Sequence, residues 1–191
     1  MMIIFFLVFG IVCWQRKRLQ NFFQKIENPK ISDTLFILTG WLWAIFLESS
    51  LGLSPFHLRP IANYLIGLGF YLPYFVIWLA LIKRYKFTFF EIFYLSGLGR
   101  FIFDLLITRK LITAAASTTY VLSALLVFFI QAIFIFILSG TLTILPVLYL
   151  RSPENKNHDK PLRHYLVGLT PSFLATGVFI VWVIILKIVF V

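Results

Sequence analysis

Three ionisable residues stand in stretches that are otherwise apolar: Glu48 in "WAIFLESSLGL", and Arg100 with Asp104 in "FYLSGLGRFIFDLL". A charge at the centre of a membrane helix costs roughly 2.5–3.5 kcal/mol on insertion scales, so such groups turn toward protein or water and find partners. Arg100 and Asp104 are four residues apart, which places them on one helical face where they can pair within the helix. Counted from helix starts near Thr34 and Phe87, Glu48 and Arg100 lie about 21 Å and about 20 Å along their helices at 1.5 Å per residue. The two can therefore meet at one depth, in the outer half of a bilayer.

The chemistry such a trio permits is solute binding. Two carboxylates and one guanidinium leave excess negative charge unless a carboxyl is protonated, and burial beside another carboxylate favours protonation. The pocket would suit a proton-coupled step or a cationic group, while Arg100 can hold a phosphate or carboxylate. Asn63, His57 and Arg59 are expected at its rim, so the candidate substrate-binding set is Glu48, Arg100, Asp104, Asn63, His57 and Arg59. The competing expectation is an ion-paired network that fixes helix register and needs no ligand. Ser96 is expected on the same face. Gly97 and Gly99, with Gly67 and Gly69 on the preceding helix, permit close helix approach.

The elements that must position these groups follow from composition. Of the 191 residues, 61% are hydrophobic and 13% charged, with a mean hydropathy of +0.96, whereas soluble domains are about half apolar and a quarter charged. Apolar runs of about 20 residues, enough to cross roughly 30 Å of hydrocarbon, fill most of the chain. The fold class expected is an all-α polytopic membrane protein: a bundle of about six transmembrane helices, the first one short, with a basic amphipathic interfacial segment. Residues 1–191 form one membrane-embedded domain, with no soluble domain. Crossings are expected over Thr34–Leu53, Ile61–Ile82, about Phe87–Ile107, Tyr120–Leu150 and Tyr165–Val189.

Met1–Trp14 would span only about 21 Å. It lacks a basic region before the apolar stretch and a small-residue cleavage site after it, so it is expected to be retained rather than removed as a signal. In "LQNFFQKI", Leu19, Phe22, Phe23 and Ile26 share one helical face, opposite Arg18, Gln20, Asn21 and Lys25. Pro29 is expected to break the chain before Ser32 or Asp33 caps the next helix. Thr88 and Glu91 have capping-box spacing, which assigns Glu91 a structural role.

The net charge is +10, and twelve of the 17 Lys and Arg fall in three clusters, Arg16–Lys30, Lys83–Lys86 and Arg151–Arg163. Successive crossings would put all three on one side, as expected for cytoplasmic loops. The positive charge is thus a topology signal, and no nucleic-acid partner is expected. Both termini would face outward. "AIFL" at Ala44–Leu47 and "YLIGL" at Tyr64–Leu68 return in order as "AIFI" at Ala132–Ile135 and "YLVGL" at Tyr165–Leu169, a pattern compatible with an inverted repeat.

Several chemistries find no support. Cys13 is the one cysteine, so neither an intrachain disulfide nor a cysteine-rich metal site can form. His57 is isolated, and His158 and His164 are expected in a solvated loop without ligand spacing; no metal and no cofactor are expected. Ser49 and Ser50 beside Glu48 are expected to bond back to the helix backbone. There is no P-loop, Rossmann fingerprint, HExxH or GxSxG. Three functional classes remain. The first is a transport or solute-binding component that takes a small polar or amphipathic substrate. The second is a membrane-embedded lipid-modifying enzyme, with Glu48 or Asp104 as acid or base and Arg100 as anion holder. The third is a non-catalytic subunit or assembly factor with membrane protein partners. Membrane lipids are partners in all three.

Overall fold

The structure, a computed structural model, describes residues 10–23, 28–51, 60–108, 121–150 and 160–190, with side chains over 10–23, 28–46, 65, 67–103, 129–130, 132–150 and 160–188. The described residues are helical apart from short links. After helical residues 10–14 come α1 (Arg16–Phe23), α2 (Pro29–Leu51), α3 (Pro60–Tyr85), α4 (Phe89–Thr108), α5 (Val121–Val147) and α6 (Leu162–Phe190). One described helical segment, Leu162–Ile188 in α6, is clearly long and apolar enough to cross a membrane; Ala132–Val147 of α5 is a shorter apolar stretch.

Helix α2 begins five residues earlier than its expected start at Thr34. Asn28 supplies the cap, its Oδ1 accepting from the Lys30 amide at 3.0 Å, and its carbonyl accepts from the Ser32 amide at 3.1 Å. Pro29 therefore occupies the first helical position, where a missing N–H and a fixed φ favour the helix. Ser32 and Asp33 are not caps. Ser32 donates its hydroxyl to the Tyr149 carbonyl at 2.5 Å, and Asp33 pairs with Lys83. At the far end of α3, Lys86 closes the helix with φ of 52° and its amide bonded to Ile82 O at 2.9 Å. That left-handed residue ends the helix and turns the chain.

The five long helices pack as a closed ring in the order α2, α3, α6, α4, α5 and back to α2. Phe36, Phe75 and Trp78 are fully buried inside it, with Phe36 and Phe75 in edge contact at 6.0 Å between ring centres. Small residues set the close approaches. A Cβ on Gly97 of α4 would lie 2.7 Å from the Phe136 carbonyl oxygen of α5, and one on Gly99 would lie 3.1 Å from the Leu169 oxygen of α6. Gly69 of α3 leaves room for the Trp182 ring of α6, whose Nε1 donates to Leu65 O at 2.9 Å.

This ring does not repeat its first half in its second. α2 and α3 are neighbours, whereas α5 and α6 make no extensive contact among the described residues. The short sequence matches therefore do not correspond to matched packing of these two helix pairs.

Contacts between helix ends do bring the basic clusters together. Asp33 at the start of α2 meets Lys83 at the end of α3, and Ser32 meets Tyr149 just beyond α5. Glu91 at the start of α4 meets Lys160 just before α6. Arg16 of α1 lies over the Phe89 ring at 4.7 Å. This is called the basic end below.

Helix α1 turns a different face inward from the one its apolar residues suggest. Leu19 and Phe23 pack on the core, but Gln20 is 7% exposed while Phe22 is 65% exposed. The Phe23 ring is held 4.4 Å from Tyr149, and that contact fixes the rotation of the helix. Ile26 lies outside the described residues.

Candidate functional site

Between α3, α4 and α6 lies a cavity of about 230 Å³. Helix α4 contributes Arg100 and Phe103, one turn apart; α3 contributes Gly67, Phe70 and Tyr71; α6 contributes Thr176 and Phe179. The Arg100 guanidinium lies 5.2 Å from the centre of the Phe70 ring and 5.6 Å from that of Phe103. A cation over an aromatic face gains roughly 0.5–2 kcal/mol, more as water is excluded. Two rings thus stabilise Arg100, and a planar guanidinium is the group suited to bidentate hydrogen bonds with a carboxylate or phosphate.

The walls are themselves braced. Phe70 contacts Phe179 edge-on at 6.0 Å and stacks on Tyr74 at 6.1 Å. Phe103 contacts Phe173 of α6 at 5.8 Å. Thr176 donates its hydroxyl to Ser172 O at 2.8 Å, so its oxygen can still accept a bond from the cavity side. Gly67 adds no side chain, and its Cα faces Ile45 of α2, where a Cβ would stand 3.0 Å from Ile45 Cγ1.

Arg100 is the one member of the expected substrate-binding set whose side chain is described. The side chains of Glu48, Asn63 and Asp104 lie outside the described residues, as do His57 and Arg59 altogether. By position along the backbone, Glu48 stands three residues beyond Ile45, Asn63 four before Gly67 and Asp104 directly after Phe103. Ser96, one turn before Arg100 on α4, bonds across to α5. Its hydroxyl meets Thr143 Oγ1 at 2.8 Å and donates to Ser139 O at 3.2 Å, tying α4 to α5.

A second polar cluster sits at the basic end. The Thr88 amide donates to Glu91 Oε2 at 2.7 Å, and the Glu91 amide donates to Thr88 Oγ1 at 3.3 Å, a reciprocal capping box. The same Oε2 accepts from Lys160 Nζ at 2.6 Å, and Oε1 lies 3.8 Å from His164 Nε2. His164 is buried in the first turn of α6, with its ring 4.2 Å from Phe87. It is therefore not in a solvated loop, because Glu91 and Phe87 draw the start of α6 inward. His158 lies outside the described residues.

Nothing in the sequence marks Phe70, Phe179 or Thr176 as cavity walls, and 23 phenylalanines are spread over the chain. Lys160 and His164 carried a weak one: an unpaired helix-start carboxylate at Glu91 invites a cation. No protein-family model matches this chain, and no curated protein or solved structure matches it either.

Proposed function

We propose that this chain is a multi-pass integral membrane protein with its basic end cytoplasmic, acting as a transport or solute-binding component that takes a small polar or amphipathic solute. The observation that carries the reading is Arg100, a guanidinium on the wall of a 230 Å³ cavity otherwise lined by aromatic rings, a glycine and a threonine. A cavity of about 150 Å³ accommodates benzene. The volume here suits one ring or a short chain, with a carboxylate or phosphate turned to Arg100.

Outward surfaces support the multi-pass reading. Leu38, Leu42 and Phe46 on α2, and Phe90, Tyr94 and Leu98 on α4, are exposed at four-residue spacing. Phe129, Ile130 and Ile133 are exposed on α5, and much of α6 from Val178 to Ile188 is too. Helices apolar on both inner and outer faces belong in hydrocarbon. Along α4, Arg100 stands about 16 Å from the helix start, and along α6, Phe179 about 25 Å, at 1.5 Å per residue. The cavity thus lies in the half of the bundle away from the basic end. On this reading Glu48, Asp104, Asn63, His57 and Arg59 belong with Arg100 to one solute site.

The test is calorimetric titration of the full chain in nanodiscs of neutral lipid, with benzoate and benzamidine as probes of opposite charge. Benzoate should bind saturably, and Arg100→Ala should weaken it by about tenfold or more, the worth of one charge-assisted hydrogen bond. Equal binding of benzoate by the wild type and Arg100→Ala would refute the site. Sidedness is tested separately: a reporter fused after Lys86 should be cytoplasmic and one near Pro55 external, and the reverse would overturn the orientation.

A further inference from the structure

The inner face of α1 holds two buried donors with no acceptor among the described residues. Arg16 and Gln20 are four residues apart, so their side chains leave the helix on one face about 6 Å apart. The Arg16 guanidinium lies over Phe89 at 4.7 Å and Phe90 at 5.4 Å, and its buried Nε has no hydrogen-bond partner. Gln20 is buried at 7% exposure, and its Nε2 also has no partner. Buried donors in folded proteins are nearly always bonded, so a neighbouring pair without a described partner is placed to take an acceptor from a ligand.

The described carboxylates, Glu91 and Asp33, do not fill that role. Glu91 is engaged by Thr88 and Lys160, and Asp33 by Lys83. No described carboxylate pairs with Arg16. An anionic group that only accepts hydrogen bonds complements this pair, and a phosphate is such a group.

The surroundings of the site decide what bears the phosphate. Phe90, under the Arg16 guanidinium, begins the exposed stripe Phe90, Tyr94 and Leu98 that runs along α4 away from the basic end. Lys17 and Arg18 are exposed beside the site, and Trp14 and Phe22 project outward at 84% and 65% exposure. Exposed aromatics and basic residues at one level match the headgroup region of a bilayer.

We propose that Arg16 and Gln20 form a phosphate-binding site for an anionic phospholipid, with its acyl chain lying along the Phe90, Tyr94 and Leu98 stripe. The site rests on the membrane reading above but not on the Arg100 cavity. Gln20 donates to a phosphate oxygen and Arg16 supplies the charged fork, while Lys17 and Arg18 favour an anionic headgroup over a zwitterionic one.

The test uses the full chain, delipidated in neutral detergent and titrated with short-chain phosphatidylglycerol, short-chain phosphatidylcholine or inorganic phosphate, followed by thermal unfolding and native mass spectrometry. Phosphatidylglycerol should bind saturably and raise the unfolding temperature, with phosphatidylcholine and inorganic phosphate each at least about tenfold weaker, the scale of one lost charge-assisted contact. Arg16→Gln should weaken phosphatidylglycerol by about tenfold or more. Gln20→Leu covers the case in which Arg16→Gln does not fold. Replacing an unpaired buried amide with an apolar group of similar size should keep or raise lipid-free stability and reduce the lipid-induced gain. Inorganic phosphate binding as tightly as phosphatidylglycerol would overturn the lipid assignment, as would phosphatidylcholine binding equally well. Unchanged phosphatidylglycerol affinity in Gln20→Leu would overturn the site. Flotation of the wild type with neutral vesicles reads the membrane reading independently, so failure of one is not mistaken for failure of the other.

Discussion

The basic end and the Arg100 cavity both place charge against aromatic rings, but they complete it differently. At the basic end Glu91 is held by the Thr88 amide and Lys160 at 2.7 and 2.6 Å, and Lys160 retains only 8% exposure. Every strong contact of that carboxylate comes from within the chain, and the result ties α4 to the start of α6. At the cavity, Arg100 lies against the Phe70 and Phe103 rings, at 5.2 and 5.6 Å from their centres. About 230 Å³ of space adjoins it. Glu91 is embedded among its own partners and serves the fold, whereas Arg100 borders a cavity, where we propose that it meets a solute. The contrast is between an ion pair closed between two helix ends and a cation that borders a cavity, though both lie among aromatic residues.

The largest expected effect breaks the basic-end side of this contrast. Lys160→Met leaves Glu91 short of its partner, and loss of one member of a buried pair costs about 3–5 kcal/mol. Glu91 keeps 17% exposure, so the lower end, about 3 kcal/mol, is expected in thermal unfolding. The double variant Glu91→Gln/Lys160→Met should recover most of the loss, and benzoate binding at the cavity should be unchanged in both. Gly97→Ala tests the α4–α5 contact that both regions depend on. Its new Cβ would lie 2.7 Å from a backbone oxygen, which cannot swing aside, so about 1–3 kcal/mol of stability should be lost.

Smaller effects sharpen the comparison. Thr88→Ala removes a cap and should cost about 1 kcal/mol in the same unfolding assay, without altering the cavity. Lys83→Ala should cost less than about 0.5 kcal/mol, because an exposed pair is screened and entropically loose; the Lys83 side chain is 53% exposed. A loss near 3 kcal/mol at Lys83, comparable with that at Lys160, would remove the distinction between embedded and exposed pairs on which the basic-end account rests.

Local patterns were the legible part of the sequence. The Thr88–Glu91 box was readable because both partners lie within one turn, and Gly97 and Gly69 were readable because small residues in apolar helices serve close packing. Arg100 stood out through the cost of burying a charge. Long-range partners were not legible. Whether Pro29 breaks or begins a helix depends on Asn28 and on the docking of Ser32 at Tyr149, 117 residues away. The inward face of α1 was not legible, because it depends on Phe23 resting on Tyr149, with Gln20 turned in and Phe22 out. His164 was assigned to solvent because nothing near it in sequence reveals Glu91 or Phe87 beside it. Phe70 and Phe179 could not be singled out among so many phenylalanines.

The central claim is that the Arg100 cavity is reached by solutes from the membrane face opposite the basic end. It is tested most directly by thiol labelling in a Cys13→Ser background, with Thr176→Cys in the cavity wall and Arg163→Cys at the exposed start of α6. In sealed, oriented vesicles, a membrane-impermeant maleimide added outside should label Thr176→Cys, and benzoate should slow that reaction. Arg163→Cys should react only after the vesicles are opened. Labelling of Arg163→Cys from outside, or a Thr176→Cys thiol that reacts from neither face, would contradict the account.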